Sequence, residues 1–394
     1  MVLKKAQKWK LLRNGKASLL NNISIIEILP SLFRSVFLLV ILCFAIGCSN
    51  ENHNEDEAIN DMYFPPTNTA LWETISPAEL HWNMEVLTEL EDFLETNNTR
   101  AFLILKNGRI VVENYWGQTI LNNADFNQKS KWYWASAGKS LTATLVGIAR
   151  QEGFLDINAK TNEYLGPGWT ALPADKEDLI KVHHQLSMTT GLDYQLADLD
   201  CTIPDCLKYA TDAGNQWFYH NAPYSLLEEV VVNATATTYN QFTAEYLGRK
   251  IGMNGTWIKS GYNNVFWSTA REAARFGLLI QNKGTWYDSK ILKDENYFAQ
   301  MTQSSQELNP SYGYLWWLNG KNKVILPGFS ASVSRSLCPD APTDLIAAMG
   351  KNGQFIEIIP SKGLVIVRMG EAPGEAVLPI VFHDEMWEIL ERLL

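Results

Sequence analysis

The sequence predicts an α/β (α+β) fold: an antiparallel sheet flanked by an N-terminal and a C-terminal helix, with a mostly helical inserted domain. Three observations carry this. A β-rich run, AFLILKNGRIVVENYW, is broken at Asn107-Gly108, the strongest hairpin signal in the chain. β-type runs then give way to helical and loop-rich sequence from Ser136 to about Asn309. They return near the end, over 314–318, 323–326, 345–349, 354–359 and 364–369.

Taken in order, the first 47 residues carry seven Lys and Arg against the single acid Glu27, and end in the apolar run VFLLVILCFAIG, residues 36–47. A basic lead before an apolar stretch too short to span a bilayer comfortably has the layout of a secretory signal. Its end, Ala45-Ile46-Gly47-Cys48, resembles the lipobox of bacterial lipoproteins. The resemblance implies a signal peptide over 1–47 and lipidation of Cys48, hence a membrane partner through a lipid anchor. An uncleaved anchor is the alternative, and both place the globular part outside the cytoplasm, in the cell envelope.

Residues 48–70 form an acidic tether, polar and without apolar period at its start. Order is expected from Ser76-Pro77-Ala78-Glu79, a capping box with proline in the first turn, opening a helix to about Thr96. Residues 71–394 then make one domain, with a sheet part at 71–130 and 311–394 and the helical insertion at 131–310. Within the insertion, helices are expected over 224–233, 242–252 and 268–284, the last capped by Ser268 and stopped by Gly284. A final amphipathic helix covers 378–394. Where sheet and insertion meet there should be a cleft, the usual place for a small-molecule site.

Composition narrows the function. At 394 residues and 46% hydrophobic, the chain can bury a sizeable core. Its net charge of −10 becomes more negative once the basic lead is removed, which argues against nucleic acid as a partner. Cys201 and Cys206, in CTIPDC, are close enough to pair in an oxidising compartment, though spacing leaves the bond open. No Gly-x-Ser-x-Gly elbow and no His-Glu-x-x-His occurs. His383 and Asp384, in the last helix, read as packing or surface residues.

The chemistry gathers around residues 131–153, KWYWASAGKSLTATLVGIARQEG. Ser136 and Lys139 stand three apart at the mouth of a helix closed by Gly153, so they share a face. A serine needs a base, and a lysine acts as one only when burial or nearby cations keep it neutral. Tyr219-His220-Asn221 offers a proton relay and an amide. Met349-Gly350-Lys351-Asn352-Gly353-Gln354 offers the backbone of a late strand.

With these three stretches in this order, residues 72–394 resemble the penicillin-recognising serine hydrolases. The branch is the class C β-lactamase-like one, with family VIII esterases, DD-peptidases and aminohexanoate-oligomer hydrolases. The resemblance implies a β-lactamase/transpeptidase-like fold and no metal or organic cofactor. It implies Ser136 as acylated nucleophile, Lys139 as its base sharing protons with Tyr219, and Asn221 orienting the lysine and the substrate. Lys351 would supply positive potential in the Lys-x-Gly element with Gly353, and the N–H groups of Ser136 and Gln354 would form the oxyanion hole. Asn352 departs from the family's threonine, which puts true β-lactamase activity in doubt. The implied function is hydrolysis of a small ester, D-amino-acid peptide or linear amide, with β-lactamase or DD-peptidase as alternatives. A non-catalytic envelope sensor of the same fold is the alternative from another class.

Overall fold

The computed structural model describes residues 61–374 and 379–394. The expected signal peptide, Cys48 and the tether up to residue 60 lie outside the described residues. The last ten residues assigned to the tether belong to the folded part. Tyr63 N–H donates to Asn107 O at 2.9 Å, and the guanidinium of Arg275 donates to the carbonyls of Pro65 and Pro66. Phe64 is buried against Trp286, with ring centroids 5.1 Å apart. An aromatic pair followed by two prolines brings enough apolar surface to dock, and the acidic character upstream hid that.

Farther on, Ile110 N–H donates to Glu73 O and Ile75 N–H to Ile110 O, so this segment covers a sheet edge that would otherwise be open. Half of the expected capping box at Ser76 forms: its N–H donates to Glu79 Oε2 at 2.7 Å, but its Oγ accepts from Ala78 N–H while Glu79 N–H donates to its carbonyl, and it closes only a turn. His81 at φ 57° ends that turn, and Asn83 starts the helix by accepting from the N–H groups of Glu85 and Val86. Helix α1 is therefore Met84–Thr96, shorter than expected.

Strands β1 (Thr99–Lys106) and β2 (Arg109–Tyr115) pair through Asn107 and Gly108, both at positive φ as a tight hairpin turn requires. The chain continues through β3 (Trp132–Tyr133), α2 (Gly138–Gln151), α3 (Asn221–Ser225) and α4 (Leu227–Thr235). Next come β4 (Thr256–Ser260), β5 (Asn263–Ser268) and α5 (Ala270–Gln281). Strands β6 (Trp317–Leu318), β7 (Ile346–Gly350), β8 (Gln354–Ile359) and β9 (Leu364–Gly370) precede α6 (Ile380–Leu393). The main sheet runs β2-β1-β9-β8-β7-β6, antiparallel throughout, and a small sheet runs β3-β5-β4.

Some expectations change. The strand at 314–318 shrinks to Trp317–Leu318 because Gly313 N–H turns back onto Trp316 O and Leu315 sits at φ 59°. Residues 323–326 supply only a bridge, Val324 to Val333. The helix expected over 224–233 starts earlier, at Asn221, and is interrupted at Leu226. That over 242–252 starts at Tyr239 and passes through a π turn, Ala244–Gly248. Thr269, not Ser268, caps α5, exchanging bonds with Glu272. Ser268 is buried instead, its Oγ accepting from Trp134 Nε1.

Alternation along β8 shows how the layers form, since successive side chains point to opposite faces. Phe355 meets Phe382 of α6, and Glu357 on the same face takes Trp387 Nε1 at 3.0 Å and His383 Nε2. His383 is thus fully buried in packing, while Asp384 binds Arg335 at 2.8 Å. Helix α1 joins α6 on this face, where Phe93 stacks on Phe382. Ile356 points the other way, toward α5. There a Cβ at Gly277 would stand 3.2 Å from Ile356 and 2.4 Å from Val365, so glycine lets helix and sheet touch. Helix α5 falls within residues 131–310 yet packs on the sheet.

Candidate active site

The nucleophile candidate is held by what precedes it. Trp132 Nε1 donates to Gly370 O, Trp134 N–H to Phe266 O and Trp134 Nε1 to Ser268, which pins this segment to both sheets. Ala135 then takes φ 47°, a strained value for a residue with a Cβ, and a 3₁₀ turn, Ala135–Ala137, leads into α2. Ser136 is the middle residue of that turn. Helix α2 is buried on every side rather than on one face, its Ser140 and Thr144 hydroxyls satisfied by the carbonyls of Leu315 and Ser140.

Lys139 is only 3% exposed, and its Nζ lies 3.0 Å from Ser136 Oγ. Burial draws its amine down to about 7, opposed by the charge of Asp200. The same nitrogen lies over two aromatic rings, 4.2 Å from the centroid of Tyr224 and 5.0 Å from that of Tyr219. Tyr219 stacks on Trp317 and meets Tyr312 edge-on. Burial pushes its phenol up, and the nearby Ser136 hydroxyl works against that shift. Ser136, Lys139 and Tyr219 therefore converge, although 80 residues separate the last two.

Other expected positions lie differently. Asn221 does not hold Lys139: its Nδ2 donates to Asp200 Oδ1 at 2.8 Å, and its Oδ1 is buried without a hydrogen-bond partner. Asp200 adjoins Cys201, and a disulfide joins Cys201 to Cys206. Gly353 shapes the turn itself. Its φ is 72°, its carbonyl accepts from Arg368 Nη1 at 2.8 Å, and a Cβ there would strike that guanidinium. Gln354 is 2% exposed, and its side-chain amide braces the turn by donating to the carbonyls of Lys351, Asn352 and Gly370 and accepting from Gly370 N–H. Lys351 is exposed at the end of β7, and Asn352 Nδ2 donates to Tyr133 Oη at 2.7 Å.

Sequence reasoning named Gly350 only as part of its late strand and gave it no role of its own; it pairs with Gln354 across the hairpin. A Cβ at Gly350 would fall 2.5 Å from Trp134 O, 2.9 Å from Ala137 N and 3.1 Å from Ser136 N. A glycine at the end of a strand often marks such an approach of two backbones, and that was the available signal. Tyr224 was also missed. It stands one turn beyond Asn221 on α3, so the i, i+3 spacing links them.

Comparison with known proteins bears on the fold. The family described as Beta-lactamase matches residues 98–378. The chain is 23% identical over 335 residues to a 6-aminohexanoate-dimer hydrolase of Paenarthrobacter ureafaciens, covering 73% of this chain and 76% of that protein. Among solved structures, a Bacillus anthracis protein described as a 6-aminohexanoate-dimer hydrolase superposes with a TM-score of 0.64 at 18% identity, covering 84% of this chain and 90% of that one. EstCE1, described as a hydrolase with promiscuous acyltransferase activity, gives 0.58 at 13% identity, covering 78% and 99%.

Proposed function

The chain belongs to the beta-lactamase family, and from that premise we propose that it is a serine hydrolase turning over a small ester or linear amide through an acyl-enzyme on Ser136. The observation that carries the reading is the buried contact of 3.0 Å between Lys139 Nζ and Ser136 Oγ. With its amine near 7, a large share of Lys139 is uncharged at neutral pH. It takes the Ser136 proton as Oγ attacks the substrate carbonyl carbon. Tyr219, which stays a neutral phenol because of its burial, relays that proton to the departing alcohol or amine. The N–H groups of Ser136 and Gln354 receive the oxyanion, Gly350, the strand partner of Gln354, bringing this hairpin against the nucleophile turn. Water then attacks the acyl carbonyl, the carboxylic acid leaves and Ser136 recovers its proton.

The state of Asn352 favours open-chain substrates over lactams. It lacks the threonine hydroxyl, and its amide is engaged with Tyr133. The name of the Paenarthrobacter relative points to a linear amide, and the acyltransferase activity in the description of EstCE1 fits an acyl-enzyme. The disulfide supports an oxidising setting, in keeping with export and anchoring at Cys48. Incubation with a fluorophosphonate, followed by peptide mass analysis, should find the adduct on Ser136. A p-nitrophenyl ester and a linear aminohexanoyl amide should be hydrolysed by the native chain only, and equal turnover by Ser136→Ala would overturn the reading.

A further inference from the structure

Tyr224 presents the nearest ring face to Lys139, and none of the motifs contains it. It is 7% exposed and braced from behind: its hydroxyl lies 3.5 Å from Thr142 Oγ1, to which Tyr239 Oη also donates at 2.9 Å. Thr142 is three residues past Lys139 on α2, so the bracing and the amine share one helix face. The position expected of Asn221, beside the lysine, is thus filled by a ring, while Asn221 binds Asp200.

We propose that Tyr224 is a positioning residue whose ring face steadies the ammonium that Lys139 becomes on taking the Ser136 proton. The inference rests on the acyl-enzyme mechanism above. As Oγ forms its bond to the carbonyl carbon, its proton moves to Nζ, and a positive charge appears where water is excluded. A carboxylate in contact would stabilise that charge but would also keep the resting lysine protonated. A ring quadrupole attracts the cation more weakly, so the amine stays near neutrality at rest and the ammonium is tolerated when it forms. The titratable groups facing Lys139 are Tyr219, Tyr224 and Asp200. Glu228, whose charge reaches Tyr224, is itself paired with Lys259 at 2.9 Å.

The test compares Tyr224→Phe, Tyr224→Leu and pentafluorophenylalanine at position 224, reading the pH profile of kcat/KM on a p-nitrophenyl ester. The phenylalanine variant should stay within about threefold of the native rate with its pH limb unmoved. Loss of the ring should lower kcat about tenfold and move the limb down by about one pH unit, since an unsupported ammonium forms less readily. Pentafluorophenylalanine keeps the shape and reverses the ring electrostatics, so it should move the limb the same way even if the leucine variant does not fold. An unmoved limb in the fluorinated protein overturns the inference. Failure of the native chain to label with fluorophosphonate would instead overturn the mechanism on which it rests.

Discussion

Gly350 and Ser136 meet backbone to backbone: a Cβ on Gly350 would stand 3.1 Å from the Ser136 amide nitrogen and closer still to Trp134 O. The end of β7 thereby forms one wall of the nucleophile turn. Gly350→Ala should separate the two, because the atoms it would strike, Trp134 O, Ala137 N and Ser136 N, are all backbone. We expect kcat/KM on an ester to fall at least a hundredfold, while thermal unfolding shows a loss of about 1–3 kcal/mol. Activity within threefold of native would show that this approach does not shape the site.

The pH dependence follows from Lys139. The amine acts as a base only when unprotonated, and burial sets it near 7, so kcat/KM should rise through a limb near pH 7 and level off above it. A limb near 10 would mean that Lys139 keeps its ordinary affinity for protons.

Lys139→Met should separate activity from stability. Activity should drop by several orders of magnitude, with the melting temperature unchanged or higher, because a buried amine has been replaced by an apolar chain. The native amine is depressed from its ordinary 10.5, so between about 7 and 10.5 the unfolded chain binds more protons than the folded one. Native stability therefore gains with rising pH across that window. Denaturant titrations at pH 7 and pH 9.5 should show that gain in the native chain and a smaller one in the variant.

Arg368 ties the turn after β7 to the rest of the sheet. Buried completely, it donates to the carbonyls of Asn352, Gly353, Asn97 and Glu371 and to Thr99 Oγ1. Arg368→Met should lower stability by about 3 kcal/mol or more by leaving those acceptors unsatisfied. It should also raise KM, because Lys351 and Asn352 belong to the turn it holds. Unchanged urea midpoints would contradict this.

The sequence by itself determined what depends on neighbours a few residues apart. The spacing of Ser136 and Lys139 places both on one helical turn, Asn107-Gly108 demands the hairpin, and strand β8 lies where its run of branched and aromatic residues put it. Tertiary structure decided the rest. The Lys139 amine is drawn down because other elements bury α2 on all sides, Tyr219 reaches the Ser136 turn across 83 positions of chain, and Asn221 turns to Asp200 because the disulfide loop packs there. Periodicity and turn chemistry report on local backbone preference. Which distant side chain fills a given space is set by close packing of the whole core, and that leaves no periodic trace in the order of residues.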